Sequence, residues 1–322
     1  MEFEAKELKE YVEKKYTLYR VVYLDLYVKR VKLLVYSNEF DQYIDNQIPY
    51  VVSKDNEDRY DASIVLWKEI DEDAPEFINS FDQETNTYYY GVKNLDYEEF
   101  IKQGHFLVQI FYKILKTDHS SLVHGAVIGM DNEGVLLCAR GQRGKSTLTV
   151  LSLFKGAEYV SDDYLVLEKD KDGNIFASPI YSIITLSPIM TEKMKDNLVD
   201  AKKLGENARK DKYVFNIANM HPFFRKHYPI KFLMFPEIVD IEETLIRKAT
   251  QEEKNRAMTQ LIHSTTSQMY DTKDRMTTIK LISMVNKYNC YYIGLAKNID
   301  KNAETLLKFI KERGYKKLWN ID

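Results

Sequence analysis

The sequence predicts an α/β protein: an α/β domain with a mixed, largely buried sheet over residues 119–322, preceded by a smaller α+β domain over residues 1–118. Three observations carry this expectation. The chain has 322 residues, more than the roughly 100–200 typical of one domain. After about residue 119 short apolar runs alternate with helical patterns, the signature of strands buried by helices. Before that point, β-branched and aromatic runs dominate, with a helical pattern at each end. Hydrophobic residues make up 44% and charged residues 30%, enough apolar material for a sizeable core.

Taken in order, Glu2–Lys15 reads as an amphipathic helix with Leu8, Tyr11 and Val12 on one face. Tyr19–Tyr36 reads as a hairpin or two strands, and Ala62–Trp67 and Thr87–Val92 as further strands, because β-branched and aromatic residues there partly alternate with polar ones. Asp71–Asp82 reads as a polar, acidic connection. Asp96-Tyr97-Glu98-Glu99 resembles a capping box, followed by Phe100, Leu107, Ile110, Phe111, Ile114 and Leu115 at helical spacing.

Beyond a boundary placed at Thr117–Ser120, Val123–Ile128 and Val135–Cys138 read as strands joined by the turn Asp131-Asn132-Glu133-Gly134. A helix over Ser146–Lys155 follows, then strands at Glu158–Val160 and Tyr164–Glu168, and a hairpin turn at Lys171–Asn174 leading to Ile175–Ala177. The remaining pattern predicts a charged helix near Thr191–Leu204, a strand at Ile230–Phe235 and a helix capped by Thr250 and Glu253. It ends with a strand at Cys290–Leu295 and a helix over Ala303–Arg313 closed by Gly314.

Composition narrows the function classes. The net charge is −3, whereas binding a phosphate backbone calls for a concentrated excess of Lys and Arg, so no nucleic-acid partner is expected. Two cysteines, Cys138 and Cys290, lie in apolar runs without metal-ligand spacing. The charged N-terminus does not read as a signal peptide, and no apolar run approaches the roughly 20 residues of a membrane span. A soluble cytoplasmic protein with no membrane partner is the resulting expectation.

The chemistry-bearing motif is Ala139-Arg140-Gly141-Gln142-Arg143-Gly144-Lys145-Ser146. It matches G-x-x-x-x-G-K-[ST] between a strand and a helix, except that Ala139 replaces the first Gly. Small residues let successive backbone N–H groups turn inward as an anion nest. The helix N-terminus adds free donors and about half a positive charge. Gly141, Gln142, Arg143, Gly144, Lys145, Ser146 and Thr147 are thus expected to cradle the phosphates of a nucleoside triphosphate, with Lys145 on the β- and γ-phosphates and Ser146 on Mg²⁺. Asp162 and Asp163 follow 17 and 18 residues after Lys145, at the end of a strand. One is expected to hold Mg²⁺, with Asp163 placed as a metal ligand, and one to take a proton from an attacking hydroxyl. His124, before Gly125, is a third candidate, although a histidine among apolar residues is more often a satisfied core residue.

Together, His124-Gly125, Gly144-Lys145-Ser146-Thr147-Leu148, Gly156-Ala157 and Ser161-Asp162-Asp163 resemble the HPr kinase/phosphorylase family and its looser relatives, similar in fold to phosphoenolpyruvate carboxykinase. The match covers Leu122–Glu168. The resemblance implies a P-loop domain of that fold using ATP and Mg²⁺ to phosphorylate a hydroxyl, usually a serine, of a protein or peptide. It assigns Lys145 to phosphate, Ser146 to metal, the aspartates to metal and base, and His124 to catalysis. Thr147 stands where the bifunctional bacterial enzymes commonly carry Glu, and no Pro-Gly-Arg-type loop follows the aspartates. Both departures weigh against reverse phosphorolysis and against HPr as acceptor. Some relatives phosphorylate natural-product precursor peptides, which would make the first third a recognition domain. The alternatives are a nucleotide-binding module that engages a partner without catalysis, and a decarboxylating or phosphate-releasing enzyme. A downstream cation is expected among Arg209, Lys210, Lys212, Arg225, Lys226, Arg247 and Arg275.

Overall fold

A computed structural model describes residues 5–53, 59–95, 105–139, 143–207, 212–220, 226–266, 272–285 and 288–318. Helix α1 (Ala5–Lys15) precedes the hairpin β1 (Arg20–Asp25) and β2 (Arg30–Val35), and α2 (Asp41–Gln47) follows. Strands β3 (Ala62–Lys68), β4 (Phe77–Asp82) and β5 (Thr87–Val92) complete a five-stranded sheet of order β1-β2-β3-β5-β4. Pairing is antiparallel at β1–β2 and β4–β5 but parallel at β2–β3 and β3–β5. One face carries α1, whose Leu8 and Val12 pack on Val65, Trp67 and Tyr89.

Strand β4 lies inside the stretch expected to be a connection. It is an edge strand whose only fully buried side chain is Ile78, so its alternation is weak. Pairing supplies what the pattern lacks: Phe81 stands opposite Tyr88, their rings stacked at 4.4 Å. The expected capping box and Phe100 lie outside the described residues. The helix expected after them appears as α3 (Val108–Leu115), with Ile110, Phe111, Ile114 and Leu115 buried.

A long hairpin, β6 (Ser120–Met130) and β7 (Glu133–Leu137), opens the next sheet. Asp131 and Asn132 both take positive φ, 53° and 62°, as a tight hairpin turn requires. Then come α4 (Lys145–Phe154), β8 (Glu158–Lys169) and β9 (Ile175–Pro179). Next are β10 (Ile183–Leu186), α5 (Pro188–Lys193), β11 (Lys202–Asn207) and β12 (Lys212–Asn216). The chain continues through β13 (Tyr228–Ile238), β14 (Leu245–Lys248), α6 (Gln251–Thr266), α7 (Thr272–Val285), β15 (Asn289–Leu295) and α8 (Ile299–Leu318). The second sheet has the order β14-β15-β13-β7-β6-β8-β9, and β10-β12-β11 form a third. Strands β15, β13 and β7 run parallel, whereas β7–β6, β6–β8 and β8–β9 are antiparallel. The architecture is α/β with mixed sheets.

Helices α4 and α8 cover one face of the seven-stranded sheet, and α6 and α7 the other. A separate apolar cluster joins the first sheet, α2 and α3 to Leu122, Tyr164, Val166, Ile180 and Tyr181 of the later chain. Glu253 and Thr250 cap α6 reciprocally: the Glu253 N–H donates to Thr250 Oγ1 at 3.2 Å and the Thr250 N–H to Glu253 Oε2 at 2.8 Å.

Two expectations at helix ends give way. The charged helix over Thr191–Leu204 is only the short α5, begun by Ser187 and Pro188; a 3-10 turn at Lys195–Asn197 follows, and the end of the stretch enters β11, drawn into the ladder with β12. The final helix does not stop at Gly314 but runs on to Leu318; a glycine costs a helix only about 1 kcal/mol. Among the described residues no helix is long and apolar enough to cross a membrane.

Candidate active site

The site grows out of the end of β7. Cys138, just after it, still donates its N–H to Met234 O at 2.9 Å, anchoring the chain before the loop leaves the sheet. Arg140, Gly141 and Gln142 lie outside the described residues. Gly144 closes the loop with φ +87°, and a Cβ there would meet Leu295 Cδ1 at 2.6 Å. Only glycine satisfies both conditions. Helix α4 starts at the next residue, and the Leu148 N–H is the one that bonds back to Gly144 O, at 2.8 Å. The N–H groups of Lys145, Ser146 and Thr147 therefore belong to the donor-rich first turn, the place where a helix favours an anion.

Lys145 does not extend into solvent. Its side chain is 8% exposed, and Nζ lies 2.9 Å from Asp162 Oδ1 and 3.2 Å from Asp163 Oδ1. Burial disfavours its charge, but the two aspartates prevail and raise its proton affinity above that of a free lysine.

Ser161, Asp162 and Asp163, expected beyond the end of a strand, lie inside one. Strand β8 runs unbroken from Glu158 to Lys169. Ladder pairing of Asp162 with Ala126 and Asp163 with Gly125 overrides the poor strand propensity of aspartate. The register shifts beside Val127 and Ile128, and Asp163 adopts φ 101°. Successive side chains of a regular strand face opposite sides; the distorted backbone instead brings both carboxylates to one lysine. Ser161 Oγ bridges the distortion by donating to Tyr164 O at 2.7 Å. A non-glycine residue in such a conformation costs about 1–3 kcal/mol and is held by its surroundings.

His124 sits on β6 directly beside this distortion. Its backbone N–H donates to the buried Thr265 Oγ1 of α6 at 3.0 Å, and its ring leans on Tyr164 with centroids 5.0 Å apart. His124 Nε2 is 3.5 Å from Asp163 Oδ1. A second histidine, His105, approaches the other oxygen, Nε2 to Oδ2 3.8 Å. Burial opposes the charge on Asp163, yet Lys145, then His124 and His105, hold its carboxyl well below the usual carboxylate range.

The structure thus brings Lys145, Asp162, Asp163 and His124 together, with Ser146 and Thr147 half-buried on the first turn of α4. Arg143 turns away to Glu237 Oε1 at 3.3 Å. It borders a cavity of about 220 Å³ at the carboxyl ends of β7, β13 and β15, lined also by Cys138, Phe235, Arg256 and Tyr292. None of the expected downstream cations joins the aspartates among the described residues. Arg247 pairs with Glu253 at 2.6 Å, Lys212 opens β12, Lys226 and Arg275 are exposed, and Arg209, Lys210 and Arg225 lie outside the described residues. His105 had no sequence signal of its own: it has no partner at motif spacing, and only the tertiary fold carries it to Asp163.

Fitness for Mg²⁺ can be judged from the donors. Asp162 Oδ2 is buried and has no hydrogen-bond partner, so one anionic oxygen is uncommitted. No group of three or more His, Cys, Asp or Glu side chains among the described residues could hold a metal unaided. Mg²⁺ generally binds through one or two carboxylates, with waters and substrate phosphates completing the shell. The donors fit a metal that arrives with phosphate, which Asp162 and Ser146 could hold.

No protein-family model matches the sequence, and no curated protein matches it either. Among solved structures, the chain is similar to an HPr(Ser) kinase/phosphatase from Coxiella burnetii, with 12% identity and a TM-score of 0.34, over 62% of this chain and 98% of that one.

Proposed function

We propose that this chain is an ATP- and Mg²⁺-dependent kinase with a phosphoenolpyruvate-carboxykinase-like P-loop domain, acting on a hydroxyl of a protein or peptide, a serine above all. The observation that carries the reading is the buried contact of Lys145, at the start of a phosphate-type helix, with two carboxylates flanked by a histidine.

The Gly144 turn and the N-terminus of α4 bind the phosphates through backbone N–H groups. Lys145 leaves the aspartates for the β- and γ-phosphates. That swap frees Oδ1 of Asp162, whose Oδ2 already has no hydrogen-bond partner, and Asp162 with Ser146 would then hold Mg²⁺. When bound, the metal neutralises charge on the phosphates. Loss of Lys145 also removes the strongest support of ionised Asp163, so its proton affinity rises as the acceptor hydroxyl arrives. Asp163 then takes the hydroxyl proton, and His124 keeps its carboxylate aimed at the acceptor. The cavity beside Arg143 offers room for the nucleoside. The first third of the chain is the natural place to recognise the acceptor peptide.

Transfer of label from γ-labelled ATP to hydroxyl-bearing peptides tests the reading. Wild type transfers label, and Asp163→Asn loses about 10²–10⁴-fold, the usual contribution of a general base. ATP bound by wild type with no transfer to any acceptor would instead favour the partner-binding module.

A further inference from the structure

We propose that His105 is a positioning residue that fixes the Asp163 carboxylate from the side opposite His124, so that the N-terminal part of the chain supplies a member of the active site. Its catalytic meaning rests on the kinase reading; the geometry does not.

The two imidazoles divide the carboxylate between them, His124 Nε2 facing Oδ1 at 3.5 Å and His105 Nε2 facing Oδ2 at 3.8 Å. Both distances exceed a finished hydrogen bond. Catalytic contacts in ligand-free structures are often long and tighten when substrate binds. His105 is not placed there by chance packing. Its neighbour Phe106 has both backbone groups tied down: the N–H donates to Gln47 Oε1 at 3.1 Å, and the carbonyl accepts from Tyr181 OH at 2.7 Å. Gln47, fully buried, is itself fixed by the Ser182 N–H, which donates to its backbone carbonyl at 2.8 Å. The His105 ring is then wedged edge-on between Tyr164 at 4.7 Å and Tyr181 at 4.5 Å. Tyr164 also supports His124, at 5.0 Å, so one tyrosine sets the ring planes of both histidines.

The need for such a clamp follows from the backbone. Asp163 is held at φ 101°, and in the proposed cycle Lys145, the closest partner of its Oδ1, departs for the phosphates. Without a second support the carboxylate would rotate as it is called upon. Outer residues that orient a reacting group typically contribute 10–100-fold to activity.

His105→Phe keeps an aromatic ring between the tyrosines and removes the nitrogen; His105→Gln restores a polar N–H donor. Expected for His105→Phe are a melting temperature close to wild type, a kcat roughly 10–100-fold lower and an almost unchanged KM for MgATP. His105→Gln should recover part of the kcat. The contact is read without activity by a double-mutant cycle of His105→Phe with Asp163→Asn in the nucleotide-free protein, where the shifts in urea midpoint should be non-additive. Wild-type kcat in His105→Phe, or additive midpoints, overturns the assignment. If wild type transfers no phosphoryl group the kinase reading fails, and the cycle alone then decides whether His105 holds Asp163.

Discussion

Replacing Lys145 with methionine keeps the length of the side chain and removes its charge. In the structure this strips the inner carboxylates of their ammonium: Asp162 is wholly buried, Asp163 is 21% exposed, and Lys145 Nζ lies within 3.2 Å of each. Breaking a buried pair from one side costs about 3–5 kcal/mol, because the remaining charge is left uncompensated. Asp162 bears most of this, since its Oδ2 already has no partner. Each kcal/mol moves the melting temperature of a chain this large by about 2 °C, so Lys145→Met should melt about 6–10 °C below wild type. The double variant Lys145→Met with Asp162→Asn removes the stranded charge and should recover about half of that loss. Differential scanning calorimetry measures both, and urea unfolding followed by the buried Trp67 gives an independent midpoint. A single variant that melts with wild type, or a double variant less stable than the single by the full cost of a second lesion, refutes the buried triad.

Two further outcomes follow from features around the site and the first sheet. Gly144→Ala faces both a left-handed backbone and a Cβ 2.6 Å from Leu295 Cδ1, together costing about 2–4 kcal/mol; it should melt lower and bind MgATP poorly, and wild-type melting with wild-type affinity would contradict the turn geometry. Glu69 accepts from Tyr16, Tyr11, Trp67 and the Ile70 and Asp71 N–H groups. Burial works against its ionisation, but these bonds win and bring its pKa from 4.5 down to about 2. The folded value lies below the unfolded one, so its stabilisation, about 3 kcal/mol at 1.36 per unit, is complete above about pH 5 and lost as the pH falls toward 2. Urea midpoints against pH should show a steep acid limb that Glu69→Gln flattens, and an unchanged limb would remove Glu69 as the hub.

Much of the fold was legible because hydrophobic periodicity and turn chemistry agreed with tertiary structure. The hairpins at Tyr19–Tyr36 and Val123–Cys138, the Thr250 cap and the strand–loop–helix around Lys145 are of this kind. What escaped was decided by distant pairing. Edge strand β4 buries one side chain and shows little alternation, and residues 202–205 of edge strand β11 bury none. The residues of the phosphate motif carried their own spacing and were readable, as was the pair Asp162-Asp163. Their backbone was not: a strand continuing through two aspartates, with one at positive φ, is set by pairing to β6. His105 reaches the site only because α2, Tyr181 and Ser182 pin the residue beside it. No local pattern encodes that.

In the proposed cycle Lys145 exchanges two carboxylates for the phosphates of a nucleotide. Calorimetric titration of MgATP into wild type and into Lys145→Met, both at a temperature where each is folded, measures that exchange. Wild type should bind, and the variant should bind at least about tenfold more weakly, a loss of about 1.4 kcal/mol or more. Equal affinities would show that Lys145 never meets the phosphates, and the phosphoryl-transfer site would fall with it.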